Sequence, residues 1–295
     1  MEFKAYQAQA LQTDQVPAQD GDGDATSLVV PMLGLAGETG QLLKEYKKHL
    51  RDGPAHRLFK DRVAEELGDL LWYVSNVASK FGLDLDEVAA RNLAKVRARW
   101  AAPHAIAPTF DAEFPDGERL PRQMTVRLVE ERQGLERPKV RMTINGETLG
   151  APLGDNTYDP DGYRFHDVFH LAYAAVLGWS PNLRAFLQRK RKSIPLLDEV
   201  EDGGRARVIE EAVSALAFDY ARTHSFFEGI SEIDYRLLRT IRSMTSHLEV
   251  AGATAADWER AILDGFAVWR AVLANSGGEI AVNLDTRQID YLGPP

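Results

Sequence analysis

The chain has 295 residues, 44% of them hydrophobic and 27% charged, which gives one large or two ordinary domains of globular composition. Its formal net charge of -9 argues against nonspecific binding to nucleic acid or a membrane surface, and the absence of cysteine excludes disulfides and thiolate metal sites. The opening MEFKAYQAQALQTDQ is polar and amphipathic, unlike a signal peptide, and no run of about 18 apolar residues occurs. The expected location is the cytoplasm, with no membrane partner.

The first hundred residues read as helices. One begins near Phe3 and stops before QVPAQDGDGDATS, whose Pro, Gly and Asp content is turn chemistry. A second runs from about Val30 to Leu50 and ends at RDGP, and a third spans about Lys60 to Phe81. A fourth follows the capping residues Asp84 and Asp86 and continues to Trp100. Short connections predict an antiparallel bundle over residues 1–105. Residues 101–123 carry four prolines, and a linker is placed over 106–123.

The C-terminal domain is expected over 124–295. MTVRLVEE and KVRMTINGETLG alternate apolar residues around an Asn145-Gly146 turn and predict short strands. The helical pattern returns from Tyr163 to about Asn275. The tail EIAVNLDTRQIDYL alternates again and predicts a hairpin completing the same sheet. The expected fold class is mainly α: a helical bundle followed by a helical domain with a small antiparallel β-sheet. RVAEELGDLLWYV also echoes RVIEEAVSALAFDY, with the Arg-Val and Glu-Glu pairs in register and Ser214 opposite Asp69. An offset of about 145 residues suits a duplicated domain rather than a solenoid.

The chemistry concentrates in two short clusters, Glu38 with Gln41 and Glu66 with Asp69. Each pair stands at i and i+3, on one face of its helix. Two such helices packed face to face gather three carboxylates and an amide, an arrangement whose main use is to hold a divalent cation. Three acids on inward faces would otherwise be costly. Glu45 is a poor substitute for Gln41: seven residues carry it about 10 Å along the axis from Glu38, against about 4.5 Å for Gln41. It could instead serve a second ion or orient Lys48.

These segments resemble the MazG-type, all-α nucleoside triphosphate pyrophosphohydrolases. Their Glu-x-x-Glu and Glu-x-x-Asp motifs read here as Glu38-Thr-Gly-Gln41 and Glu66-Leu-Gly-Asp69. The flanks match as well, in Tyr6-Gln7, GLAGE, EELGDLLWY, and Asn92, Lys95 and Arg99. The resemblance covers residues 1–100. It implies Mg2+-dependent hydrolysis of (d)NTPs to monophosphate and pyrophosphate, with Mn2+ as the alternative ion. Glu38, Glu66 and Asp69 are the expected catalytic ligands, with Gln41 a fourth, uncharged one.

Lys44 and Lys48 can meet the triphosphate, and Asn92, Lys95 and Arg99 are phosphate contacts by resemblance; the competing reading for both groups is a solvated face. Trp72 and Tyr73 could flank a base or belong to the bundle core. Family bundles of this size commonly need a partner, so a homo-oligomer, a dimer first, is expected. Gln41 and Ser214 favour the alternative function, a nucleotide-binding sensor that turns over poorly.

The second half is similar to the C-terminal extension of some MazG-type proteins. His166 and His170, at i and i+4, could bind a metal with Glu210 or Glu211. Their more frequent use is a structural hydrogen-bond network. RKRK beside DEVED could be internal charge pairing or an exposed surface.

Overall fold

The computed structural model describes residues 1–15, 25–132, 134 and 137–295, except 101–108, and only the backbone at 25–26 and 98–100. The chain forms two compact units, Met1–Arg97 and Ala98–Pro295.

The N-terminal unit consists of α1 (Phe3–Leu11), α2 (Ala25–Asp52), α3 (Phe59–Lys80) and α4 (Leu85–Trp100). The QVPAQDGDGDATS loop lies largely outside the described residues. α2 starts ahead of the expected Val30 and carries Pro31 within it. A proline is best tolerated in a first turn, so the sequence pattern places the start there. Asp84 caps α4, its Oδ1 accepting from the backbone N–H of Asp86 at 2.8 Å and of Glu87 at 3.4 Å. Asp86 stands in the first helical turn, where its charge suits the dipole. Gln7 ties three elements together. Its Nε2 donates to Ser79 Oγ (3.1 Å) and to the Leu83 carbonyl (2.8 Å), and its Oε1 accepts from the N–H of Leu85 (3.0 Å).

This unit has a thin core. Among its described residues the buried hydrophobic side chains are Ala10, Ala78 and Leu85. Along α2, Met32, Ala36, Thr39, Leu43, Tyr46 and Leu50 are all exposed, Leu43 by 62% and Leu50 by 68%. Their alternating spacing of four and three is that of a helix–helix seam.

The C-terminal unit begins with β1 (Gln123–Glu131), β2 (Lys139–Ile144) and β3 (Glu147–Leu153). Helices α5 (Asp167–Leu177), α6 (Pro181–Phe186), α7 (Pro195–Val200), α8 (Gly204–Arg222), α9 (Tyr235–Met244) and α10 (Ala255–Ala274) follow. The tail supplies β4 (Gly277–Asn283) and β5 (Gln288–Gly293). One antiparallel sheet results, in the order β3-β2-β1-β4-β5. β1 is central, with Val126 opposite Ile144 on one side and Ile280 on the other. Met124, Val126 and Leu128 alternate into the core. Asn145 and Gly146 both take positive φ, as a two-residue hairpin turn requires. The fold is thus mainly α with the small C-terminal sheet expected from the pattern.

α5 is buried at every residue and packs on α10. Gly265 makes that approach possible, since a Cβ there would stand 3.0 Å from the Cβ of Ala172. The basic and acidic runs pair internally: Arg191 with Asp202 and Lys190 with Asp198, at 2.8 and 2.7 Å. Part of the proline-rich stretch also packs here, with Phe114 and Leu120 buried. Asp111 accepts from the N–H of Leu120 (2.7 Å) and pairs with Arg122 and Arg184, both at 2.8 Å. No helix among the described residues is long and apolar enough to cross a membrane.

Candidate active site

α2 and α3 pack together along the N-terminal unit and bring their acidic faces into register. Glu38 on α2 and Glu66 and Asp69 on α3 each place a carboxylate oxygen within 4.8 Å of the other two. Glu38 and Glu66 are half-buried and Asp69 is exposed. Partial burial, the charge of Glu38 and a hydrogen bond to it, and the charge of Asp69 together raise the Glu66 carboxyl above its usual pKa. Mutual repulsion of this kind is relieved by a cation, and an all-oxygen donor set suits a hard one such as Mg2+.

Gln41 lies one turn on, exposed, and its Oε1 accepts from Lys44 Nζ at 3.4 Å. Glu45 is buried and engaged elsewhere, by Lys48 and by His56, whose Nε2 stands 3.3 Å away. The hydrogen bond from Lys48 is the main influence holding its carboxyl below the usual range. Glu45 therefore orients Lys48.

The other anticipated residues are distributed as follows. Trp72 donates its indole N–H to Thr13 Oγ1 at 2.7 Å, fastening α3 to the end of α1, and meets Tyr73 edge-on at 5.0 Å. Tyr73 packs against Gly34 of α2. Asn92 and Lys95 are exposed on α4, and the side chain of Arg99 lies outside the described residues. Two features of this region escaped sequence reasoning: the contact of Gly34 with Tyr73 and the close approach of His56 to Glu45. The first had a signal, a glycine one turn before Glu38 in GLAGE.

A second polar cluster occupies the C-terminal unit. His166, His170 and Glu211 each offer a ligand atom within 4.8 Å of the others. Ser214, opposite Asp69 in the echo, is not among them; it is buried and donates to the Glu210 carbonyl at 3.1 Å. Glu210 accepts from Ser180 Oγ (2.6 Å) and the N–H of Asn182 (2.8 Å), and it holds His170 Nδ1 at 2.9 Å. Burial opposes the charged form of His170, but Glu210 and Glu211 outweigh it and raise the imidazole well above its ordinary pKa. Glu211 is held below the usual carboxylate range by His170 and His166, against the penalty of burial.

Comparison with known proteins agrees with this division. Residues 30–104 match the MazG nucleotide pyrophosphohydrolase domain, and residues 105–295 match the MazG C-terminal domain. The chain is also 36% identical over 104 residues to the Gene 37 protein of Mycobacterium phage L5, a match spanning 34% of this chain and 89% of that protein. No solved structure matches it. With two family domains accounting for residues 30–295, and with the carboxylates of α2 and α3 in the first of them, the chain belongs to the MazG family of nucleotide pyrophosphohydrolases.

Proposed function

We propose that the N-terminal unit hydrolyses nucleoside triphosphates, (d)NTP and water giving (d)NMP and diphosphate, with Mg2+ held by Glu38, Glu66 and Asp69. The observation that carries this reading is the meeting of three carboxylates from two helices within 4.8 Å. Bound Mg2+ supplies charge neutralisation on the phosphates and a more acidic water. Mn2+ shares the preference for oxygen donors and is the alternative ion.

The chain's own residues then have definite tasks. A carboxylate of the cluster takes the proton of the attacking water as its oxygen bonds to the α-phosphorus. The bond from that phosphorus to the α–β bridging oxygen breaks, and diphosphate leaves. Lys44 and Lys48, one and two turns beyond Gln41, offer positive charge to the phosphates. By resemblance to the family, Asn92, Lys95 and Arg99 of α4 are further phosphate contacts. Glu45 keeps Lys48 in place. The substrates are nucleotides of a cytoplasmic pool.

The working form is a homo-oligomer, a dimer being the simplest. The exposed seam of α2, Met32 to Leu50, together with the thin core of the unit, supports this. The family matches at residues 30–104 and 105–295 support a division into a catalytic bundle and a C-terminal α-rich domain.

Gln41 favours a second reading, a nucleotide sensor with weak turnover, because its amide brings no charge to the cluster. Incubation with a panel of NTPs and dNTPs plus Mg2+, following diphosphate release, separates the two. Release abolished by Glu38→Ala or Glu66→Ala supports the enzyme; tight nucleotide binding without release supports the sensor.

A further inference from the structure

We propose that the C-terminal unit contains a second metal centre, in which His166, His170 and Glu211 bind a divalent transition ion of the Zn2+ class. The proposal stands independently of the N-terminal reading, since it uses none of the same residues.

Both histidines are already set up as ligands. His166 Nδ1 lies 2.9 Å from the carbonyl of Tyr163, which can only accept, so that nitrogen carries the hydrogen. His170 Nδ1 is held in the same way by Glu210 at 2.9 Å. Each ring therefore turns Nε2 towards the third member of the cluster. Glu211 Oε1 is 3.2 Å from His170 Nε2, and Glu211 Oε2 is 3.8 Å from His166 Nε2. Donors about 2.0–2.2 Å from a tetrahedral ion stand roughly 3.3–3.6 Å apart, so these separations bracket what such an ion needs.

A pinned Nδ1–H opposite a free Nε2 is the usual support of a metal-bound histidine. His170 Nε2 is also buried, and Glu211 Oε1 stands 3.2 Å from it in a geometry too poor for a good hydrogen bond. An ion shared between that nitrogen and Glu211 would satisfy both. Glu210 is fully buried and engaged by three donors, so the partly exposed Glu211 is the carboxylate better placed to bind.

The surroundings hold this geometry. Gly162 has φ +87°, and a Cβ there would stand 2.8 Å from Leu273 and 2.9 Å from Trp269. Only glycine fits that turn, which delivers the Tyr163 carbonyl to His166. The Tyr163 ring stacks on His166 at 4.5 Å, nearly parallel. Glu211 is 42% exposed, which leaves a route for the ion and a coordination position open to water or a small ligand. Two imidazole nitrogens and one carboxylate favour Zn2+, Co2+ or Fe2+ over Mg2+. The sequence echo sharpens the contrast. Glu211 falls opposite Glu66, but His166, just before α5, and His170 within it replace the remaining acids, so the two sites would select different ions.

The test uses the full chain carrying Glu38→Ala and Glu66→Ala, which removes the N-terminal site from the measurement. After chelation, the protein is dialysed against Co2+ and analysed by elemental content and visible absorption, then challenged with Zn2+. The expected result is one Co2+ per chain, with the d–d bands of a low-coordinate nitrogen-and-oxygen site, displaced by Zn2+. Adding His166→Ala, or the isosteric Glu211→Gln on the exposed side, weakens Co2+ affinity at least about tenfold while far-ultraviolet circular dichroism is kept. Failure to retain Co2+ in the folded double variant overturns the proposal. So does Co2+ retained with undiminished affinity in both added variants, which would leave the histidines a purely structural network.

Discussion

The ring of Tyr73 on α3 fills the space that a Cβ on Gly34 of α2 would occupy. That contact sets how closely the two helices approach one turn before Glu38, and hence how Glu38 meets Glu66. Gly34→Ala forces the ring aside, and overpacking of this kind costs about 1–3 kcal/mol, against about 1 kcal/mol gained by removing a glycine from the helix. The substitution should lower Tm and reduce diphosphate release, although no ligand has been removed. Thermal unfolding and steady-state kinetics on the same preparation check both effects.

Gln41 supplies no charge to the carboxylate cluster, so Gln41→Glu should tighten the metal site. The expected outcome is a lower Mg2+ concentration at half-maximal activity, by about tenfold for a gain near 1.4 kcal/mol. A Mg2+ titration of the wild type and the variant reads this directly. An unchanged midpoint removes Gln41 from the ligand set.

The seam from Met32 to Leu50 should be the surface that joins protomers. Leu43→Lys and Leu50→Lys place charges on it without touching a described buried contact. The double variant should shift the chain to a smaller species by light scattering, with its helical circular dichroism retained. An unshifted mass assigns the seam no role in assembly.

Asp111 gives a prediction for acid stability. The Arg122 hydrogen bond and the Arg184 charge outweigh its burial and hold its carboxyl down to about 2, from a usual value of 3.8. A depressed folded pKa means that its stabilising contribution is fully present above the unfolded value and is lost as pH falls from about 4 towards 2. Asp111→Asn leaves Arg184 short of a buried partner and should cost about 3–5 kcal/mol near neutral pH. The deficit should shrink across the window from pH 4 to 2, as measured by denaturant unfolding at each pH.

Most of the bundle and the candidate site was legible because both rest on local periodicity. Glu38, Glu66 and Asp69 stand out as i, i+3 acids on otherwise amphipathic helices. The strands on either side of the C-terminal helices were equally visible, because alternation and an Asn145-Gly146 turn are short-range signals. Other features depend on tertiary geometry. The start of α2 at Ala25 was hidden by Pro31, which looks like a first-turn residue. Glu45 reads either as a ligand for a second ion or as the partner of Lys48, and the structure selects Lys48, with His56 alongside. Trp72 reads as a base flank or a core residue, and the hydrogen bond of its N–H to Thr13 needs the tertiary structure to be seen. The division of labour between Glu210 and Glu211 is likewise invisible in sequence: adjacent glutamates on α8 point to different partners, one orienting His170 through Nδ1 and the other facing Nε2.

The most direct test of the central claim is diphosphate release from a nucleoside triphosphate in Mg2+, compared between the wild type and the folded Asp69→Ala variant. Asp69 is exposed, so its removal disturbs packing least among the three acids. Release by the wild type and a fall of at least about a hundredfold in the variant are expected, about 2.7 kcal/mol of transition-state stabilisation. Activity that survived Asp69→Ala unchanged would contradict the assignment of the site.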